Sequence, residues 1–172
     1  MKTKKLVLAA LFAALTYVAT SIIKIPTPGT GGYIHPGDAM VILCGVLLGP
    51  VYGGLAAAIG SMLADLLAGY MAYVPITFVI KGLVAVVSFY VFHAVMKKSG
   101  KMILSIIACG ICATVIVAAG YFVCEIPMYG AAAALASVPS NIIQGISGLI
   151  LSSLLLSVLY QVPEIKALAN EF

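Results

Sequence analysis

The chain has 172 residues, 63% of them hydrophobic and 8% charged, with a formal net charge of +4 and a mean hydropathy of +1.21. That composition lies far outside the range of water-soluble globular domains. A helix needs about 20 apolar residues to cross the hydrocarbon core of a membrane, so the length provides for five or six crossings and leaves no room for a soluble domain.

The first apolar run, about 6–23, follows Lys2, Lys4 and Lys5. It has the basic start of a signal peptide but is long and lacks a small-x-small cleavage site, so it reads as a retained helix. Ala9, Ala10, Ala13 and Ala14 lie on it as two pairs spaced four residues apart. Small residues at that spacing let helix backbones approach closely in lipid. Residues 24–36 are rich in proline and glycine and predict an outer loop.

The next helix, about 39–48, is too short to cross ~30 Å of hydrocarbon at about 1.5 Å per residue. The loop must complete that crossing, and non-helical backbone is tolerated at membrane depth where protein buries it or it lines a cavity. A Gly49-Pro50 turn leads into a third helix, about 52–68, built on small residues and carrying Asp65. Helices at about 75–95, 102–123 and 138–160 follow, with an outer loop expected over 125–136, an interfacial helical turn over its alanine run being an alternative, and an amphipathic tail after 160. The fold class expected is an all-α integral membrane protein. It is a single six-helix bundle over 1–172 with both termini cytoplasmic.

The lysines agree with that orientation. Seven of the nine (Lys2, Lys4, Lys5, Lys97, Lys98, Lys101 and Lys166) fall on the side shared by the termini, and cytoplasmic loops collect lysine. The net charge thus reports topology rather than nucleic-acid binding. Cys44, Cys109, Cys112 and Cys124 lie in or beside apolar runs. The CxxC at 109–112 has no second ligand pair, which argues against metal or redox chemistry. No cofactor or metal site is expected.

Placed on this topology, the polar residues gather at one level. Tyr33, His35 and Asp38, Asp65, Tyr70 and Tyr73, Lys81, Glu125, and Asn141 and Gln144 all fall in the outer half, together with Tyr121 and Tyr129. The inner half holds little that is ionisable except His93. Ionisable groups in a membrane cost roughly 2.5–3.5 kcal/mol each on insertion scales, so they face the bundle interior and pair. A few polar groups among aromatic rings suit a small-ligand pocket. Asp38, Lys81, Asn141 and Gln144 are expected to make polar ligand contacts, with His35 and Glu125 beside them. Tyr33, Tyr70 and Tyr73 are expected to face a ring, and Asp65 to hold Lys81 as an ion pair.

The AALFAAL run, the GGYIHPGDAMVILCGVLLGPVYGG loop, helix and turn, the GSMLADLLAGY segment and the PITFVIKGL start together carry a resemblance over essentially the whole chain. It resembles the substrate-binding S components of energy-coupling factor (ECF) vitamin transporters. The resemblance implies a vitamin held near the outer surface. It also implies docking through Ala9, Ala10, Ala13 and Ala14 on a transmembrane coupling subunit that works with two cytoplasmic ATPases. The Gly37-Asp38 pair resembles the subgroup assigned to pyridoxine and hydroxymethylpyrimidine. Pantothenate, riboflavin and thiamine are alternatives, thiamine weakened by the absence of tryptophan.

No Walker glycine loop is present, so this chain is not expected to hydrolyse ATP by that route, and energy must come from a partner or an ion gradient. The resemblance implies ATP hydrolysis in partner subunits and a prokaryotic cytoplasmic membrane. An ion-coupled secondary carrier is a rival reading, weakened by the lack of an internal repeat. A small lipid-modifying enzyme is another, weakened because His35 and His93 fall on opposite sides.

Overall fold

The computed structural model describes residues 2–169. Among them are helices α1 (Lys2–Ile22), α2 (Asp38–Leu67), α3 (Val74–Ser99), α4 (Met102–Tyr129), α5 (Ala131–Leu159) and α6 (Pro163–Ala169), with a two-stranded ribbon of β1 (Ile25–Pro26) and β2 (Tyr33–Ile34). The first five are long and apolar enough to cross a membrane.

The second and third expected helices form the one element α2, broken at Gly49. That residue takes φ 77° and ψ 177°, outside helical space and natural only for glycine. Pro50 begins the next limb where its missing N–H costs nothing. The limbs double back on each other, since a Cβ on Gly53 would lie 2.1 Å from the Cys44 carbonyl oxygen. Two residues nine apart would be some 13 Å distant in a straight helix. Asp38 and Asp65, at opposite ends of α2, therefore return to one level.

The first limb, 38–48, is the axis of the bundle. Val41, Ile42, Leu43, Cys44, Val46 and Leu47 have no exposed surface at all, the state expected of a helix that is apolar on every side. α3 crosses it so closely that a Cβ on Gly45 would lie 2.0 Å from the Ala85 carbonyl oxygen. α1, α3 and α5 surround α2, and α4 packs on α3 and α5. In the tail, α6 turns Leu168 and Ala169 into the core.

The loop at 24–37, expected on the outer side, folds as a hairpin, pairing Ile25 with Ile34 and Pro26 with Tyr33. The Thr27 N–H donates to the Gly32 carbonyl at 3.0 Å and the Thr27 and Thr30 hydroxyls meet at 2.7 Å. The loop expected over 125–136 is instead helical. α4 runs through Pro127 to Tyr129, and α5 begins at Ala131 after a break at Gly130 (φ 85°). Alanine has the highest helix propensity, and the run Ala131–Ala134 continues as helix once Gly130 has turned the chain.

The Gly45 crossing should be the least forgiving position in the bundle. Gly45→Ala is expected to cost about 1–3 kcal/mol by overpacking, read as a lower thermal unfolding midpoint in detergent. Gly82→Ala, whose Cβ would meet nothing nearer than 3.5 Å, should leave the midpoint unchanged or raise it.

Candidate functional site

The polar residues fall into two layers. The lower one ties α2, α3 and α5 together. Lys81 is fully buried, and its Nζ donates to Asp38 Oδ1. The other carboxylate oxygen of Asp38 accepts from Gln144 Nε2 at 3.0 Å. Gln144 Oε1 in turn accepts the His35 backbone N–H at 3.1 Å, which fixes the ribbon over the helices. The Lys81 ammonium also stands 5.5 Å from the centre of the Tyr121 ring, within cation–π range. The expected Asp65–Lys81 pair is thus corrected, because Lys81 salt-bridges Asp38. Asp38, the first residue of α2, meets Lys81 of α3, while Asp65 is held by hydroxyl donors.

The upper layer is built on those hydroxyls. Tyr33 donates to Asp65 Oδ1 at 2.7 Å, and Thr77 is a second partner of that carboxylate. Tyr73 donates to Glu125 Oε1 at 2.9 Å, and Ser137 donates to Glu125 Oε2. Asn141 Nδ2 donates to the Ser137 hydroxyl at 3.5 Å, and Thr77 and Tyr121 share a 3.0 Å hydroxyl pair. These groups close around a cavity of about 20 Å³ lined by Tyr33, His35, Asp65, Tyr73, Glu125 and Asn141, with Thr27, Gly32, Thr77 and Tyr121. That volume holds one water-sized guest. A ring-sized ligand therefore needs the tyrosines to move.

Of the residues singled out in the sequence, Tyr33, His35, Tyr73, Glu125 and Asn141 line the cavity, and Asp38, Lys81 and Gln144 form the layer beneath it. Tyr70 stands outside, its ring 4.6 Å from that of Tyr33, and lines an outer groove of about 290 Å³ with Gly31, Met71, Tyr73 and Tyr129. Glu125 lies in the last turns of α4 and is buried, not solvated in a loop. Thr77 and Ser137 went unnoticed in the sequence, and Tyr121 was placed at this level without a role. Each lies four residues before a residue that was singled out (Lys81, Asn141, Glu125), so the helical i, i+4 rule would have found them. His93 is far from the site, bonded to the Phe89 carbonyl and packed on the Phe89 ring.

The loop groups are tuned by burial. Desolvation, helped by the neighbouring Lys81 charge, lowers the His35 pKa to about 3. The ring is therefore neutral, and because Nδ1 accepts the Gly37 N–H at 3.1 Å, its proton sits on Nε2. Burial raises the Tyr33 and Tyr73 phenols well above their usual range, with Asp65 and Glu125 reinforcing the shifts. Both act as hydrogen-bond donors.

The His35 shift has a measurable consequence. Its folded pKa lies below the unfolded value of about 6.5, so on acidification the unfolded chain takes up a proton first. The stability held by neutral His35 is complete above about pH 6.5 and is lost as the pH falls toward 3. Unfolding in detergent at pH 7.5 and pH 4.5 should show wild type losing up to about 2–3 kcal/mol more than His35→Asn. The asparagine oxygen can still accept the Gly37 N–H, and the carboxylates titrate in both proteins and cancel.

Comparison with known proteins places this geometry. An S component of a bacterial ECF transporter superposes with a TM-score of 0.68 at 24% identity, covering 94% of this chain and 98% of that one. The thiamine precursor transporter HmpT of Lactococcus lactis subsp. cremoris (strain MG1363) is 29% identical over 153 residues, 88% of this chain and 85% of its own. An uncharacterized protein of Pyrococcus woesei is 35% identical over 134 residues, 78% of this chain and 86% of its own. The family model for the ECF-type riboflavin transporter S component matches residues 1–161. S components are substrate-binding transporter subunits in the cell membrane rather than enzymes, and this chain belongs to the ECF-type riboflavin transporter S-component family.

Proposed function

We propose that this chain captures a small heteroaromatic vitamin precursor, with hydroxymethylpyrimidine favoured and pyridoxine next, from the outer side of a prokaryotic cytoplasmic membrane. The observation that carries the reading is the cavity under the ribbon, where three tyrosines, a neutral histidine, two carboxylates and an amide converge from five elements. Rings and a few fixed polar groups suit a flat, hydroxylated heterocycle. The kinship with HmpT points to the pyrimidine. A one-ring ligand also displaces fewer of the packed side chains than a three-ring flavin would.

The orientation follows from the lysines, with both termini and the 97–101 loop inside. Under the cavity the fully buried residues 41–48 form an apolar plug. That plug favours delivery by reorientation of the whole subunit over a path through its centre. The energy comes from a transmembrane coupling subunit and two cytoplasmic ATPases.

For docking, the α1 alanines line an apolar groove of about 570 Å³ with Tyr52, Leu55, Ile59 and Leu63 of α2. Ala10 and Ala14 are exposed on it, whereas Ala9 and Ala13 are half-buried. The Ala13 carbonyl packs over Gly60. A groove floored by small residues admits the close approach of a partner helix.

Equilibrium binding to the purified chain in detergent, without ATPase subunits, tests the reading. Hydroxymethylpyrimidine, pyridoxine, pantothenate, riboflavin and thiamine should yield one tight ligand at one per chain. Retention of none would overturn the proposal. Ala14→Trp should keep the Kd within about twofold while reducing cellular uptake about tenfold or more, because it blocks close helix approach and leaves the cavity alone. A parallel loss of binding would instead make that face part of the internal packing.

A further inference from the structure

The Tyr73 side chain is a partition between two hollows. On its inner side it lines the cavity with Tyr33, His35, Asp65, Glu125 and Asn141, and on its outer side it lines the groove formed by Gly31, Tyr70, Met71 and Tyr129. Its ring centre lies 6.2 Å from that of Tyr121 inside and 6.4 Å from that of Tyr129 outside, nearly parallel to the latter at 23°. The ring is held in place at its tip, where the hydroxyl donates to Glu125 at 2.9 Å. The turn of the ribbon lies close to the same tip, for a Cβ on Gly32 would lie 3.1 Å from that oxygen.

The two hollows differ in kind. The inner one holds a single water-sized guest, whereas the outer one is wider, more open and about 290 Å³ in volume. Tyr129 is 40% exposed there, which is unusual for a ring that also packs on a buried neighbour. An aromatic face with an open side is a stacking platform for another flat ring, which prefers offset geometry at similar centre-to-centre distances.

We infer that the outer groove is a capture subsite, where a planar heteroaromatic ring first stacks against Tyr129 and Tyr70, and that Tyr73 is the gate through which it passes to the buried cavity. The occupant is the substrate itself, because the groove and the cavity share the Tyr73 side chain as a wall. The Tyr73–Glu125 hydrogen bond is the latch. Opening it exposes the Glu125 carboxylate, which the hydroxyl or amino groups of the entering ring can then engage. The inference rests on the substrate reading above, and its test separates the two.

Stopped-flow tyrosine fluorescence follows binding of hydroxymethylpyrimidine, pyridoxine and riboflavin to the purified chain, which has nine tyrosines and no tryptophan. For whichever ligand binds, the observed rate should rise with concentration and then saturate, the plateau being the gate. Tyr73→Phe keeps the ring and removes the latch, so the plateau should rise about tenfold, the factor carried by one hydrogen bond to a carboxylate. Tyr129→Leu lies outside the cavity. Because Tyr129 touches the ligand only on the way in and out, the substitution should slow association and dissociation alike, about fivefold each, leave the Kd unchanged, and be rescued by Tyr129→Phe.

A rate that stays linear in concentration, with Tyr129→Leu associating at the wild-type rate, would overturn the capture subsite while leaving the substrate reading intact. Faster dissociation from Tyr129→Leu would also overturn it, by placing that ring against the finally bound ligand. If none of the three ligands binds, the substrate reading fails and this inference falls with it.

Discussion

The buried Lys81–Asp38 pair and the glutamine that completes it are the constraint on which the rest of the structure depends. A lysine without exposed surface inside a membrane bundle persists only with a counter-ion and saturated hydrogen bonding. Here the counter-ion comes from the first residue of α2, the remaining carboxylate oxygen is satisfied from α5, and the same glutamine reaches the ribbon. Three helices and one loop are thereby locked in register. Removing either charge would strand the other, at a cost of about 3–5 kcal/mol in comparable buried pairs. The position of the outer loop is thus set by chemistry in the helices, not by the loop's own short ribbon.

That lock also divides labour among the carboxylates. Asp38 is committed to a cation and cannot leave it for a ligand without stranding Lys81. Asp65 and Glu125 are held by tyrosine, threonine and serine hydroxyls, and a hydrogen bond from an uncharged hydroxyl leaves no buried charge stranded when another donor replaces it. A ligand offering its own O–H or N–H groups can replace Tyr33 or Tyr73 at little net cost. The lower layer is therefore scaffold and the upper layer is the part that adapts. Asp38, Lys81 and Gln144, expected as ligand contacts, are bonded to one another beneath the cavity, with the His35 backbone as the link between the layers.

Much of this was legible in the sequence because a membrane makes polarity expensive. The asymmetry of polar residues between the two halves located the cavity, the short apolar run after Asp38 marked the central limb, and Gly49-Pro50 marked its end. The pairing of Lys81 was not legible. Two aspartates lie at the same depth, and choosing between them depends on the rotation of α2 about Gly49, a single dihedral pair that no periodicity records. Residues 125–136 misled for a related reason. Proline and glycine usually announce a loop, but Pro127 falls near the end of α4 and the alanines after Gly130 restart a helix at once. As a result Glu125 sits on a rigid buried turn, where a ligand would find it in a fixed position.

The same physics explains why the site is one-sided. The first limb of α2 has 11 residues, Asp38 through Leu48, or roughly 16 Å of helix against ~30 Å of hydrocarbon. The missing length must be supplied by chain that is not helical, and such chain survives at depth only by hydrogen-bonding to side chains or lining a cavity. The His35 N–H on Gln144 and the Gly37 N–H on His35 are those bonds. Polar side chains are therefore required where the helix stops short, and the end at Asp38 has them. The other end closes on itself at Gly49, where the second limb supplies apolar cover. A polar cavity at one end of the limb, with fully buried apolar packing beneath it, is what this geometry produces.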